Sequence, residues 1–322
     1  AKSFKVHFDD ARPRSFTLEY VHKSPRFGPA FSISWKAPVA ALREEAVRTA
    51  SQADAIVVFA GLSAWLEGEE MSLKVPGFDG GDRTDIALPK AQADLIAALQ
   101  ATGKPVIIVL QTGSAVSLGS LGEKAAGVIE AWYGGEAGGT AIAEVLSGTV
   151  NPSGRLPVTF YKSAADLPPF GDYGMAGRTY RYFPGAVEYA FGHGLSYTSY
   201  AYSGLKLARG ATAGQPFEIR VRVRNTGKRA GDEVAQLYLS TDLTGAPIRS
   251  LKGFQRVHLK PGEARTLTFR LSPRDLALAD DQGVMRIQPA GYRLWVGGGQ
   301  PGTGAPGVSG KFTMAGSVAL PR

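Results

Sequence analysis

The chain contains no cysteine and only four histidines among its 322 residues. Without cysteine it forms no disulfide and offers no thiolate to a metal or to a covalent reaction. The histidines are dispersed and match no metal-binding spacing such as His-Glu-x-x-His. No run approaches the roughly 18 consecutive apolar residues of a membrane-spanning helix. We therefore expect no metal, no other cofactor and no transmembrane segment.

Positive charge is in excess, with a formal net charge of +8 at pH 7. Arg220, Arg222 and Arg224 alternate with apolar residues, which places the three guanidinium groups together on one solvated face of a β-strand. The sequence has no arm of consecutive Lys and Arg and no nucleic-acid-binding motif. We therefore expect no nucleic-acid partner.

Residues 40–151 alternate between helical and strand patterns. Apolar spacing predicts helices at 40–51, 89–101 and 138–146. Apolar runs of strand length lie at 55–60, 105–110 and 126–132. Because the runs are continuous and rich in Val and Ile, they predict parallel strands covered on both faces. This part is therefore predicted to be a three-layer α/β sandwich.

The sequence from residue 200 onward alternates apolar with polar residues over short segments. Strands are predicted at 217–223, 233–240, 250–259, 264–271 and 292–296. Turn sequences such as Asn225-Thr226-Gly227 and Pro261-Gly262 separate them. This spacing is typical of an immunoglobulin-like β-sandwich. Residues 161–199, rich in Pro, Gly and Tyr, are predicted to be an extended linker between the two folds.

Chemistry is expected in the long glycine-rich loop at 61–89, which follows the first predicted α/β strand. The loop carries three glutamates, Glu67, Glu69 and Glu70. Open α/β sheets bind their ligands at the carboxyl ends of the strands, so a carboxyl group here is well placed to act as an acid. The alternative is a solvated acidic loop without a catalytic role.

Five separated groups of residues resemble glycoside hydrolase family 3, and they occur in the family's order. They are Gly68-Glu69 with Gly81-Asp82-Arg83 and Leu88-Pro89, then 131–139, 151–157, 180–183 and 191–197. The strands from residue 200 onward, with Leu251-Lys252-Gly253-Phe254, resemble the family's fibronectin-type-III-like C-terminal domain.

The first 38 residues contain predicted strands at 4–8, 15–22 and 30–35. They resemble the last strands of a protective-antigen-type β-sandwich that some family members carry as an insertion. An ordinary β-meander is the alternative. The expected domains are a partial β-sandwich at 1–38, the α/β sandwich at 39–160, the linker at 161–199 and the fibronectin III-like β-sandwich at 200–322.

The resemblance implies a retaining, exo-acting β-glycosidase, a β-glucosidase or alternatively a β-xylosidase, acting on gluco- or xylo-oligosaccharides. In the family an aspartate nucleophile lies on an N-terminal (β/α) barrel and a glutamate acid/base lies on the α/β sandwich. Aligned on Gly-Glu, the acid/base falls on Glu69. The flanking residues differ from the family's Ser-Gly-Glu-Gly-Tyr pattern, so Glu67 and Glu70 stay open as alternatives.

The acid/base role requires a carboxyl that is still protonated near neutral pH. Burial against apolar groups and a neighbouring carboxylate both raise a carboxyl pKa. Trp65, Met71 and Phe78 are candidates for the apolar wall, and Trp65 and Met71 are also predicted to contact the substrate. Retaining enzymes hold their two carboxyls about 5 to 5.5 Å apart. This chain is expected to supply only one of them.

The aspartate nucleophile is expected outside this sequence. A (β/α) barrel needs about 250 residues, yet only 68 residues precede Glu69 and they show no barrel pattern. We therefore expect a second polypeptide or a missing segment to carry the barrel, and we expect this chain alone to be inactive.

Two other functions are alternatives to a β-glucosidase or β-xylosidase. A non-catalytic carbohydrate-binding or scaffold protein would keep the fold, but the intact Glu69 loop argues against it. The family's N-acetylglucosaminidases use a barrel-borne histidine and lack the trailing domains. The family's modules favour a periplasmic or secreted location, and a cytoplasmic location stays open because the lack of cysteine suits both.

Overall fold

A computed structural model describes residues 15–17, 19, 21, 38–72 and 74–321. The chain divides into two compact units, 1–46 and 47–322. The strands predicted at 4–8 and 30–35 lie outside the described residues, as does part of the strand predicted at 15–22. The expected limits of the four domains stay predictions.

Helices and strands alternate in the α/β part, as the periodicity predicts. In chain order the elements are α1 (Val39–Ala50), β1 (Ile56–Gly61), β2 (Lys74–Val75), β3 (Phe78–Asp79), β4 (Asp82–Arg83), α2 (Lys90–Gln100), β5 (Val106–Gln111), α3 (Ser120–Glu123), β6 (Gly127–Glu130) and α4 (Gly138–Ser147). The three short strands β2 to β4 form a small antiparallel sheet inside the long loop, which the sequence did not predict.

Strands β1, β5 and β6 form a parallel sheet with β5 in the centre. Strand β5 is largely buried, with Val106, Ile108 and Leu110 at most 2% exposed. On β1 the alternate residues Val57 and Phe59 are 42% and 58% exposed. The prediction that the strands are covered on both faces is therefore wrong for β1 within the described residues, because Val57 and Phe59 share one face of the strand and that face is left exposed.

The segment that follows α4 contains little regular structure, as predicted. It includes a 3₁₀ turn at Ala164–Asp166 and the short helix α5 (Thr179–Tyr182). An antiparallel bridge joins Phe160 to Tyr189, and the ring of Phe160 contacts the rings of Trp132 and Tyr189 edge-on at 6.3 and 6.1 Å between centroids. These contacts anchor the linker beside the end of β6.

The C-terminal part is a β-sandwich. Its elements are β7 (Tyr200–Leu207), β8 (Gly210–Thr212), β9 (Phe217–Asn225), β10 (Gly231–Thr241), β11 (Ser250–Leu259), β12 (Ala264–Leu271), α6 (Pro273–Leu276), β13 (Leu278–Ala279), β14 (Met285–Ile287), β15 (Ala290–Gly297), β16 (Gly307–Ala315) and β17 (Val318–Ala319). The main sheets have the orders β11-β10-β15-β16-β8 and β12-β9-β7.

The sandwich core lies between the inward faces of the two main sheets. Ile219, Val221 and Val223 of β9 are fully buried, together with Leu237 of β10 and Val296 of β15. The arginines that alternate with the β9 residues are exposed, as the period of two predicts. This arrangement confirms the predicted combination of an α/β fold with a β-sandwich.

A buried ion pair joins the segment that follows α4 to the sandwich. Arg155 Nη2 lies 2.9 Å from Glu233 Oε2, and the two side chains are 10% and 2% exposed. Arg155 Nε also donates to the carbonyl of Gly298 at 3.0 Å, and the Tyr202 hydroxyl donates to Glu233 Oε1 at 2.6 Å. Because both charges are removed from water, their mutual pairing is essential at this junction.

Among the described residues, no helix has the length and apolar character needed to cross a membrane.

Candidate active site

The long loop leaves the sheet at Gly61, where only glycine fits. Gly61 has φ +141°, and a Cβ added there would lie 2.1 Å from the carbonyl oxygen of Gln111 on the neighbouring strand. The side chain of Gln92 holds Gly61 in place, because it accepts from the Gly61 N–H and donates to the Gly61 carbonyl, each at 2.8 Å. The start of the loop is therefore held by both β5 and α2.

The loop then folds back on itself, so that residues 68–71 lie beside Gly80 and Gly81. The Met71 N–H donates to the carbonyl of Gly80 at 2.8 Å. Gly81 has φ +98°, and a Cβ there would lie 1.5 Å from the carbonyl oxygen of Gly68. Any side chain at position 81 would force the two arms apart.

Of the three glutamates, Glu67 is the one whose carboxylate is hydrogen-bonded to the loops that follow β5 and β6. Its Oε1 accepts from the Ser114 hydroxyl at 2.7 Å, and its Oε2 accepts from the Tyr133 hydroxyl at 2.5 Å. Ser114 follows β5 and Tyr133 follows β6, so the carboxylate joins loops from all three parallel strands. Arg83, at the end of β4, donates to the Ser114 hydroxyl at 3.0 Å and to the Ala115 carbonyl at 2.7 Å.

These contacts keep Glu67 ionised. Burial by itself would raise the pKa of Glu67, but the hydroxyls of Tyr133 and Ser114, the N–H of Gly113 and the charge of Arg83 together lower it. Partial burial and the hydrogen bond to Glu67 raise the pKa of Tyr133 to about 12, so its hydroxyl remains a donor at neutral pH. Both carboxylate oxygens of Glu67 therefore accept hydrogen bonds from hydroxyl groups, which suits a structural carboxylate better than a proton donor.

Glu69 and Glu70 are both exposed, in contrast to Glu67. Within the part of the chain that the structure describes, neither carboxylate has a hydrogen bond or an ion pair. Glu70 has φ +50°, a conformation that is uncommon for a residue with a side chain and that turns the backbone sharply just after Glu69. The loop thus displays Glu69 outward at the carboxyl edge of the sheet.

The three candidates for an apolar wall lie in different environments. Trp65 is 82% exposed. The side chain of Met71 is half-buried and packs against the backbone at Gly68. Phe78 belongs to the hydrophobic core of the α/β part. Substrate contacts of Trp65 and Met71 stay predictions, and Phe78 stabilises the loop from below.

Glu130, the last residue of β6, is a further carboxyl at this edge. Its Oε1 accepts from the Trp132 N–H at 3.0 Å and from the Thr112 hydroxyl at 3.4 Å. Its Oε2 is buried without a hydrogen-bond partner among the described residues. Burial outweighs the two hydrogen bonds and raises the pKa of Glu130 to about 7.

Glu130→Gln is expected to stabilise the protein at pH 8. A carboxyl whose folded pKa lies above its unfolded value costs almost nothing below the unfolded pKa of 4.5, and its cost grows between that value and about pH 7 and is nearly constant above it. A shift from 4.5 to about 7 corresponds to a gain of about 1 to 3 kcal/mol for the amide at pH 8. Urea unfolding at pH 5 and pH 8 measures it.

The matched control for that prediction is Glu123→Gln, which replaces an exposed glutamate of α3. It should leave the unfolding free energy nearly unchanged at both pH values. An equal effect of Glu130→Gln at pH 5 and pH 8 would show that Glu130 does not titrate between them.

Two family models match the chain. Residues 12–197 match the glycosyl hydrolase family 3 C-terminal domain, which is more than half of the chain. The chain belongs to glycosyl hydrolase family 3. Residues 233–300 match the fibronectin type III-like domain, which confirms the predicted nature of the sandwich.

Relatives with established names are glycosidases of this family. A xylan 1,4-beta-xylosidase of Xylanibacter ruminicola is 43% identical over 245 residues, which cover 75% of this chain and 28% of the relative. A periplasmic beta-glucosidase of Salmonella typhimurium is 37% identical over 274 residues, covering 80% of this chain and 34% of the relative. The chain spans about a third of the length of these curated relatives.

Solved structures of β-glucosidases share the fold. A β-glucosidase of Erythrobacter marinus superposes with a TM-score of 0.74 at 35% identity, covering 86% of this chain and 36% of that one. A β-glucosidase of Kluyveromyces marxianus in complex with glucose gives a TM-score of 0.75 at 30% identity, covering 88% and 34%.

The sequence predicts the loop and its glutamates but not the groups that hold them. Arg83 and Tyr133 lie within the family motifs, which assign no role to either. Ser114 and Glu130 carry no sequence prediction of a role. The positions of three of these four residues could have indicated a role. Ser114, Glu130 and Tyr133 lie at or just beyond the carboxyl ends of predicted parallel strands, and such ends meet at one edge of a sheet.

Proposed function

We propose that this chain supplies the general acid/base of a retaining, exo-acting β-glycosidase, and that Glu69 is that residue. The proposal is supported by the clamped segment from Glu67 to Met71, which displays Glu69 outward at the carboxyl edge of the sheet. The partner is a β-linked gluco- or xylo-oligosaccharide. The aspartate nucleophile lies on a (β/α) barrel that a separate polypeptide or another segment supplies.

The reaction proceeds in two steps. In the first, Glu69 donates its proton to the glycosidic oxygen while the aspartate attacks the anomeric carbon, so the leaving alcohol departs and a glycosyl-enzyme forms. In the second, the Glu69 carboxylate takes a proton from water, whose oxygen attacks the anomeric carbon and releases the aspartate. Both carboxyls return to their starting protonation states, and the sugar keeps its configuration.

The exposure of Glu69 and Trp65 fits a site that is completed by another domain. A general acid must hold its proton near neutral pH, which burial and a neighbouring carboxylate favour. The nucleophile-bearing barrel and the bound sugar would provide both. The indole of Trp65, 82% exposed beside the glutamates, would then offer an apolar face to the sugar ring.

Glucose is the proposed sugar, because most of the named relatives and the solved structures are β-glucosidases. Xylose is the second candidate, because a xylan 1,4-beta-xylosidase is 43% identical. The two sugars differ by one hydroxymethyl group, which a pocket discriminates by about 1 to 3 kcal/mol. A periplasmic location is also proposed, on the basis of the periplasmic relative in Salmonella typhimurium.

Hydrolysis by the assembled enzyme tests this function. We expect release of single sugars from aryl β-glucoside faster than from aryl β-xyloside, and a proton NMR time course in which the β-anomer appears first. The chain without a nucleophile-bearing partner should release none. An α-anomer as first product would exclude the retaining mechanism, and an inactive assembly would favour a carbohydrate-binding protein.

A further inference from the structure

We propose that Glu67 is a positioning residue, whose carboxylate locks the loop that carries Glu69 against the loops following β5 and β6. The inference rests on the proposed function, because it assigns Glu67 a part in directing the acid/base. It concerns a contact network of this chain alone, formed by Glu67, Arg83, Ser114 and Tyr133.

The network joins the loops that follow β1, β5 and β6, the three strands of the parallel sheet in the described part of the chain. Glu67 comes from the loop after β1, Ser114 from the loop after β5 and Tyr133 from the loop after β6. The two carboxylate oxygens are used separately, one for each hydroxyl. Arg83 holds Ser114 from the other side. Loss of the carboxylate would therefore release one loop from two neighbours at once.

Glu69 lies midway between two fixed points of the backbone. Two residues before it, the side chain of Glu67 is held by Ser114 and Tyr133. Two residues after it, the Met71 N–H is bonded to the Gly80 carbonyl. Since the Glu69 side chain itself is exposed and makes no hydrogen bond or ion pair among the described residues, the place of its backbone is determined by these neighbours.

Glu67 is unsuited to be the proton donor itself. Its lowered pKa keeps it ionised, so it carries no proton to give near neutral pH. Both of its oxygens are already occupied by hydroxyl donors. The geometry therefore separates two roles among adjacent glutamates: one holds the loop, and the other faces the substrate.

A carboxylate is needed at this position and an amide is not equivalent. The hydroxyls of Tyr133 and Ser114 both donate, and Glu67 provides one accepting oxygen to each. A glutamine has a single accepting oxygen, so one of the two hydroxyls would have to turn and accept from its NH₂ group. Glu67→Gln should therefore weaken one of the two contacts while it keeps the volume of the side chain.

The test compares Glu67→Gln with Glu69→Ala in the assembled enzyme. A misplacement of about 1 Å costs up to about 10²-fold in rate, so we expect Glu67→Gln to lower kcat for alkyl β-glucoside about 10- to 100-fold with KM nearly unchanged. Tyr133→Phe combined with Glu67→Gln should cost less than the product of the single effects, because both act on one contact. Asp79→Asn, an exposed carboxylate of the same loop, is the matched control and should stay within about twofold.

Azide separates the possible outcomes. We expect β-glycosyl azide from Glu69→Ala and none from Glu67→Ala, because Glu69 is still present there. If Glu67→Ala forms the azide, Glu67 is itself the acid/base and both proposals fail. If Glu67→Gln keeps full kcat while Glu69→Ala loses it, the positioning role is wrong and the proposed function stands. Ser114→Ala and Tyr133→Phe test the same contact if Glu67 variants do not fold.

Discussion

In the assembled enzyme that we propose, Glu69→Ala is expected to lower kcat/KM for a β-glycoside with an alkyl or sugar leaving group by about 10²- to 10⁴-fold. Such a leaving group departs as a strong base and must be protonated as its bond to the anomeric carbon breaks. The exposed carboxyl of Glu69 is the group that we propose donates this proton. Steady-state kinetics with alkyl β-glucoside and cellobiose measure the loss.

The same variant should respond to the leaving group and to added anions. A nitrophenolate leaving group departs without protonation, so the first step with nitrophenyl glucoside should keep a much larger share of its rate. The glycosyl-enzyme should then accumulate, because no base activates water. Azide needs no base and should restore turnover while it forms β-glucosyl azide.

The control for this prediction is Asp79→Asn, which removes an exposed carboxylate from the same loop. It should neither slow alkyl glucoside hydrolysis nor respond to azide. Equal losses by Glu69→Ala for alkyl and nitrophenyl glucosides, without azide product, would show that Glu69 does not protonate the leaving group. Azide product from Glu70→Ala in place of Glu69→Ala would move the role by one residue.

Periodicity was sufficient to predict the fold because each part has one simple pattern. The continuous apolar run that forms β5 is buried at Val106 and at 108–110 and partly buried at Ile107, as expected for a central parallel strand. The strict alternation of β9 places Ile219, Val221 and Val223 inside and the arginines outside. In both cases local sequence and tertiary packing favour the same structure.

The contacts of the site are not visible in any local pattern. Glu67 meets Ser114 and Tyr133 across 47 and 66 residues of sequence. The three glutamates of the loop look equivalent when only their spacing is known. In the fold, Glu67 is bonded to Ser114 and Tyr133, whereas Glu69 and Glu70 are exposed. Glu67 differs from the other two glutamates because Ser114 and Tyr133 lie on loops that follow the neighbouring strands. These contacts therefore form only when the strands are paired in the sheet.

The raised pKa of Glu130 is likewise not predictable from the sequence. The sequence shows a glutamate at the end of an apolar strand, which is an ordinary place for a solvated charge. In the fold its Oε2 is buried without a partner among the described residues, and the pKa rises to about 7. Burial of one oxygen is a property of the packing around β6, including Trp132 on the turn that follows, and the composition of the strand does not reveal it.

Arg155→Met is expected to lower the unfolding free energy by about 3 to 5 kcal/mol, because it leaves a buried carboxylate without its cation. The Glu233 side chain is 2% exposed, and after the change only the Tyr202 hydroxyl would still bond to it. The Gly298 carbonyl would also lose a donor. Methionine keeps most of the side-chain volume, so the loss reports the charge and its hydrogen bonds more than the packing. Urea unfolding of the variant measures it.

Two companion variants separate the charge from other causes. Arg293→Ala removes a surface arginine whose pair with Asp242 is 51% and 78% exposed, and it should cost less than about 1 kcal/mol. Arg155→Met combined with Glu233→Gln removes both charges and keeps an acceptor for Tyr202, so it should recover more than half of the single-variant loss. A double variant as unstable as Arg155→Met alone would mean that the lost hydrogen bond to Gly298, and not the unpaired carboxylate, dominates the cost of breaking this contact between Arg155 and the sandwich.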